Sequence, residues 1–270
     1  MKGFDRIALE QALRTEGAIA TLGAAAIHNV RITVGASELY GREDWMALEA
    51  RRFASEGPKS VDASETISAP LGNEAMLVAA RWRLGSAPTA CAGASLSMVH
   101  ANRIVREWQF VERFVSRLFG DKPSPRRFGI PWEYGEVRAA LGQTLPADDA
   151  NVVAAAGIAS HPVVEHWHRR WNRRSPDTTE FLAPFADPVM FCERLVVSAD
   201  ARNVALQWRL VGRHVAEAWG FAASHARLEL PGLSFFHLDG VTITARNDHY
   251  DLSVLTEQIA QRASAQPRPA

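Results

Sequence analysis

The stretch "GLSFFHLDGVTITARNDHYD", Gly232 to Asp251, begins apolar and finishes with Asp248, His249 and Asp251. A strand built this way either ends in solvent or lines a cavity where protons move. Lost hydration disfavours the charged form of a carboxylate at an apolar wall, so such a group can exchange a proton near neutral pH. On that reasoning Asp248 is the candidate general base and acid. The competing reading pairs it with Arg246, or has it cap the next helix at the surface.

Asp239-Gly240 is a two-residue hairpin signal, because a type I′ turn needs positive φ at both centres. With that turn, strand alternation puts Phe235, His237, Thr244, Arg246, Asp248 and Tyr250 on one face. Asp251 has the opposite parity. The candidate set is therefore Asp248, His237 and His214 for catalysis, with Trp208, Trp219, Phe235, Tyr250 and Arg246 lining the substrate. Each carries a plainer alternative. His237 can anchor the turn, since His100 stands at a corresponding point upstream. His214 can tie a loop to the sheet, and Trp208 can be core, since Trp82 matches it. Trp219 has no counterpart and is the stronger pocket residue.

These correspondences come from an internal repeat. "LVAARWRLG" (Leu77–Gly85) and "NVALQWRLVG" (Asn203–Gly212) share Trp-Arg-Leu. Downstream, "LSMVHANRIVREWQF" parallels "LSFFHLDGVTITARND": both open Leu-Ser, reach a histidine before a turn, and continue as a strand. The second copy has a longer segment before its histidine, and Gln109 of the first stands where the second has Asp248. Helical periodicity falls on Asp5–Thr15, Arg42–Ala54, Tyr134–Gln143 and Val163–Arg173. Strand patterns fall on Val61–Ser68, Leu77–Leu84, Ala92–His100 and Arg103–Val111. A second set falls on Val189–Val197, Val204–Val211, Ala226–His237 and Val241–His249, and each copy closes with a short helix. Helices followed by a run of antiparallel strands mean α+β. The expected domains are 1–121, a scaffold, and 132–262, the functional half. A Pro- and Gly-rich linker joins them at 122–131, and a disordered tail follows at 263–270.

Composition narrows the function. The chain has 270 residues, 47% hydrophobic, with 30 basic and 30 acidic side chains. Zero net charge argues against a nucleic-acid partner. No apolar run approaches the roughly 18 residues of a membrane span, and the acid-bearing amphipathic N-terminus reads as a helix, not a signal peptide. Two distant cysteines make neither a disulfide framework nor a zinc site. "HPVVEHWH" matches no metalloprotease spacing, so no metal is expected. A cytoplasmic location is expected.

"GRHVAEAWGFAAS" (Gly212–Ser224), then "FFHLDG", then "ARNDHYDLSVLTEQIA", resembles the SnoaL-like polyketide cyclases of the nuclear-transport-factor-two-like (NTF2-like) superfamily. Gly212, His214, Glu217, Gly220, Asp239, Gly240, Asp248, Asp251 and Gln258 carry the resemblance, and Ser234 stands where that family has a histidine. The resemblance implies cone-shaped α+β domains, each a curved, mostly antiparallel sheet wrapped around helices. Here two stand in tandem, packed as an intramolecular pseudo-dimer that is monomeric or further self-associated. It also implies a cofactor-independent cyclase, isomerase or lyase acting on a hydrophobic, aromatic or polyketide-like small molecule, with Asp248 as acid and base. The other readings are a non-catalytic ligand-binding module, or a structural domain whose cone is filled.

Overall fold

A computed structural model describes residues 4–34, 37–72, 74–85, 91–111, 161–172, 181–218 and 220–265. In the N-terminal half, Asp5 starts α1 (Arg6–Thr15) by accepting the Ala8 N–H at 2.9 Å. Next come α2 (Thr21–Ala25), β1 (Ala26–Val34), β2 (Ser37–Tyr40) and α3 (Arg42–Glu56). Glu43 and Asp44 fill the first turn of α3, where they complement its dipole, and Gly57 closes it at φ 69°. The half finishes with β3 (Val61–Gly72), β4 (Ala75–Leu84), β5 (Cys91–His100) and β6 (Arg103–Val111). These strands form one sheet in the order β2-β1-β6-β5-β4-β3, antiparallel except for β1 beside β6.

The C-terminal half contributes α4 (Pro162–Asn172), β7 (Phe185–Val197), β8 (Asn203–His214), β9 (Arg227–Asp239), β10 (Thr242–Tyr250) and α5 (Ser253–Ala265). Its antiparallel sheet has the order β10-β9-β8-β7. This α+β architecture is consistent with the NTF2-like fold that the sequence resembles. Every expected strand is present, whereas α2, β1 and β2 were not foreseen. The helix expected at Tyr134–Gln143 and the linker at 122–131 lie outside the described residues. Helix α5 runs to Ala265, into the stretch expected as tail, because Gln258 clamps it to β9. Its amide accepts from the Glu229 N–H at 2.9 Å and donates to the Glu229 carbonyl.

Each sheet buries one face under its own helices. Leu22, Trp45 and Leu48 meet Val78, Val99 and Ile104 in the first half. In the second, Val163, Trp167, Val254 and Leu255 meet Trp208, Leu210, Leu230 and Phe236. The opposite faces meet each other: Leu77, Leu96, Met98 and Trp108 share one buried cluster with Val196, Ala205, Leu233 and Phe235. Cations reinforce it, with Arg106 and Arg194 at 4.9 and 4.5 Å from the Trp108 ring centre and Arg81 at 5.7 Å from that of Phe235.

His249 sits at this junction, edge-on to Phe235 and only 7% exposed. Burial, and then the Arg81 charge, push its imidazole pKa down to about 4. The unfolded chain takes up that proton near pH 6.5, the folded one only near 4, so stability falls as pH drops through this window. The group's full contribution is on the order of 3 kcal/mol. Urea midpoints measured between pH 7 and 4 should fall less steeply for His249→Leu than for the parent, and equal slopes would remove this role.

Candidate functional site

β9 and β10 place Asp248 opposite Ser234, and Trp208 of β8 lies opposite Gly232 on the same inner face. The fully buried Trp208 indole N–H can only donate, and it donates to Ser234 Oγ at 2.8 Å. Having accepted there, Ser234 turns its own proton to Asp248 Oδ1, again at 2.8 Å. Arg246 Nε lies 3.1 Å from Asp248 Oδ2, with the two side chains 23% and 20% exposed. Both carboxylate oxygens therefore accept from donors, and the Asp248 side chain stays within reach of solvent. The pairing with Arg246, weighed as the plainer alternative, forms.

The surroundings are aromatic. Trp167 lies 5.5 Å from Trp208 and 5.7 Å, edge-on, from Phe236. Tyr250 meets Trp208 at 5.8 Å, and the Arg246 guanidinium lies 5.9 Å from the Trp167 ring. Ser234→Ala takes away the acceptor of the Trp208 N–H and one donor to Asp248. We expect a stability loss of about 1–3 kcal/mol and a shifted pH–rate profile, read by thermal melts and by rate against pH. An unmoved profile would leave Ser234 a packing residue.

The set expected on one face divides. The hairpin's two loop residues are Gly240, at φ 58°, and Val241, one position later than the signal suggested. The larger correction is a bulge at Thr244, which shifts the register so that Ala245 faces His237 and Arg246 faces Phe236. Phe235 and His237 consequently lie on the face opposite Asp248. Phe235 is buried in the cluster between the two sheets. His237 is exposed, with Nδ1 2.7 Å from Asn203 Oδ1, and anchors the strand ends. It does not stand in for the histidine that Ser234 replaces.

His214 faces inward but at the far end of β8. Leu206, the partner of Ser234, is about 26 Å of strand away at roughly 3.3 Å per residue. The His214 ring accepts the Ser224 N–H at 3.2 Å, while its backbone bonds Ala226 and His225. It ties the following loop to the sheet, and burial, with His225 adding, lowers its pKa. Trp219 lies outside the described residues.

Sequence reasoning passed over a second polar interior, under α1 and α3. Arg6, Glu10, Arg14, Glu49, Arg52 and Glu107 are all 6% exposed or less. Glu10 bridges Arg6 at 2.9 Å and Arg14 at 2.7 Å, Arg14 reaches Glu49 at 2.7 Å, and Glu49 reaches Arg52 at 2.8 Å. Arg6 also pairs with Glu107 at 3.0 Å, and Glu107 accepts the Ser97 hydroxyl. Burial raises the Glu10 pKa, but Arg14 and Arg6 outweigh it and hold the group at about 2. At Glu107 burial prevails over Arg6 and Ser97, and the pKa is raised. The signal was present in α1: Arg6, Glu10 and Arg14 recur every four residues on the side that carries Leu9 and Leu13.

No protein-family model and no curated protein matches this chain. Solved structures that do match include TsrD from Streptomyces laurentii, at 21% identity and TM-score 0.28, over 31% of this chain and 61% of that one. A SnoaL-like family protein from Agrobacterium tumefaciens matches at 18% identity and TM-score 0.34, over 42% of this chain and 99% of its own. An NTF2-like protein of unknown function from Burkholderia xenovorans matches at 15% identity and TM-score 0.31, over 37% and 74%. The chain spans less than two thirds of TsrD. At these scores no activity passes from them to this chain.

Proposed function

We propose that the chain is an acid–base enzyme of the cyclase, isomerase or lyase type that works without a cofactor on a hydrophobic, aromatic or polyketide-like small molecule. The observation that carries this reading is the Trp208–Ser234–Asp248 relay, whose direction leaves the carboxylate as acceptor. Asp248 takes a proton from a carbon beside a carbonyl and, as the resulting acid, returns it at the position the product requires. Tyr250 and Arg246 flank that carboxylate. The reading extends to a tandem duplication over 1–121 and 132–262 packed as an intramolecular pseudo-dimer, in a cytoplasmic setting. Two matched pairings support the duplication: Trp82 faces Gly93 as Trp208 faces Gly232, and Ser95 faces Gln109 as Ser234 faces Asp248. The apolar cluster drawn from both sheets supports the packing. No helix among the described residues is long and apolar enough to cross a membrane.

The test is proton exchange. In deuterated water, aromatic ketones incubated with the chain should gain deuterium beside the carbonyl at an enzyme-dependent rate, followed by NMR. Ligands that bind without exchange across such a panel would favour a binding module. The observation on that side is the packing of Trp167 and Phe236, which puts buried aromatic surface beside Trp208.

A further inference from the structure

An enolate needs two partners, a base for the proton and a donor for the oxygen on which the charge collects. Asp248 supplies the first, and its neighbours narrow the second. The Trp208 N–H is committed to Ser234, and the Ser234 hydroxyl proton is committed to Asp248 Oδ1. Arg246 stands two residues before Asp248 on β10 with no register shift between them, so both side chains leave the same face. Its Nε lies 3.1 Å from Asp248 Oδ2, and its two Nη groups make no hydrogen bond among the described residues. A guanidinium is planar and rigid, so turning Nε to that oxygen sets the Nη–H groups in the same plane, beside the carboxylate.

Access and placement agree with that geometry. The Arg246 and Asp248 side chains are 23% and 20% exposed, so a solute reaches both from solvent. The guanidinium also lies 5.9 Å from the Trp167 ring centre, which steadies it over an aromatic surface. In a ketone the carbon that loses its proton and the carbonyl oxygen are two bonds apart, which suits a base and a cation standing side by side. We infer that Arg246 is a catalytic residue, its Nη–H groups holding the substrate's carbonyl oxygen while Asp248 takes the proton from the adjacent carbon. The C–H electron pair becomes the new C=C bond, and the carbonyl π pair moves onto oxygen, where the guanidinium meets the charge. Protonated Asp248 then returns its proton to carbon, and the C=O bond re-forms. This rests on the reading of Asp248 as the base, and it narrows the substrates to carbonyl compounds that enolise with their oxygen turned to Arg246.

Arg246→Met should slow deuterium exchange into the best-exchanging ketone about 10²–10³-fold in kcat, with KM nearly unchanged. Arg246→Lys, which keeps a cation without the planar fork, should recover part of that loss. The thermal midpoint should hardly move in either, since a pair this exposed adds little to stability. A second measurement reads binding without turnover. 4-Nitrophenolate carries its charge on an oxygen beside an aromatic ring, as an enolate does, and its absorbance reports binding. Asp248→Asn should hold it about tenfold to a hundredfold more tightly than the double variant Asp248→Asn/Arg246→Met, the worth of one charged hydrogen bond. Uncharged 4-nitroanisole should bind the two alike. Parental exchange in Arg246→Met, or equal phenolate affinity in the single and double variants, overturns the role of Arg246. A phenolate difference without exchange in the parent ends the Asp248 reading alone and leaves Arg246 holding the oxygen; exchange that Arg246→Met retains ends the Arg246 role alone.

Discussion

Asp248→Asn should cut turnover by about 10²–10⁴-fold, the usual loss when a positioned proton-transfer group is removed. The fold should survive. Asparagine keeps a carbonyl oxygen where Ser234 Oγ donates, so the Trp208–Ser234–Asp248 chain loses its charge and not its last acceptor. Arg246 loses its partner, but both side chains are about one fifth exposed, and such pairs contribute only about 0–1 kcal/mol. The measurement is kcat on the best-exchanging ketone together with a thermal melt. Full activity in Asp248→Asn would end its role as the base, and equal loss of activity and folded protein would make it a structural residue.

The largest stability effect is expected at Gly232. A methyl group built there would stand 2.1 Å from Trp208 Cζ2, far inside contact distance. The ring has no easy retreat, because Trp167 and Tyr250 pack against it and its N–H is bonded to Ser234. Gly232→Ala should therefore cost about 3 kcal/mol, the upper end for overpacking, read as a lowered urea midpoint at constant slope. A smaller ring in Trp208→Phe should absorb part of the clash, so the double variant should lose less than the sum of the singles. Strict additivity would show that the clash is relieved elsewhere. Gly93→Ala should repeat the effect more mildly, since its methyl would meet Trp82 at 2.7 Å.

The parts of this fold legible in the sequence are those whose signal is local. Helices α1 and α3 and strands β3 to β10 carry periodic side chains, and their bounds fall within a few residues of expectation. Strand β1 was missed because Gly23, Ala24 and Ala25 give no periodic signal before it, and because its place between β2 and β6 is a tertiary fact. At the site, the sequence placed Asp248, Arg246 and Tyr250 on one face, while Trp208 joins them only through its pairing with Gly232. It misplaced Phe235 and His237 through a single residue: the Thr244 bulge inverts the parity of everything paired across it, and nothing in "VTITAR" marks which residue will bulge. The Arg6–Glu10–Arg14 row was visible as spacing. Its burial was not, because charged helix faces are ordinarily solvated, and the partners that turn this one inward, Glu107 of the sheet and Glu49 of α3, lie far along the chain.

The parallel contact of β1 with β6 also governs the order of assembly during synthesis. Thr33 receives its bond from Arg106 across 73 positions, and Arg6 reaches Glu107 across 101. At ribosomal speeds β1 waits roughly 4–15 s for its neighbour to be made. Through that interval one edge of β1 stands open to foreign strands, and the guanidinium of Arg6 lacks the carboxylate of Glu107. A nascent chain halted before Arg103 holds five strands but no closed sheet, so it should be a chaperone client and not a folded intermediate. The C-terminal sheet docks on the face that β6 completes through Val105, Trp108 and Phe110, so the second half has a surface to settle on only after the first has closed.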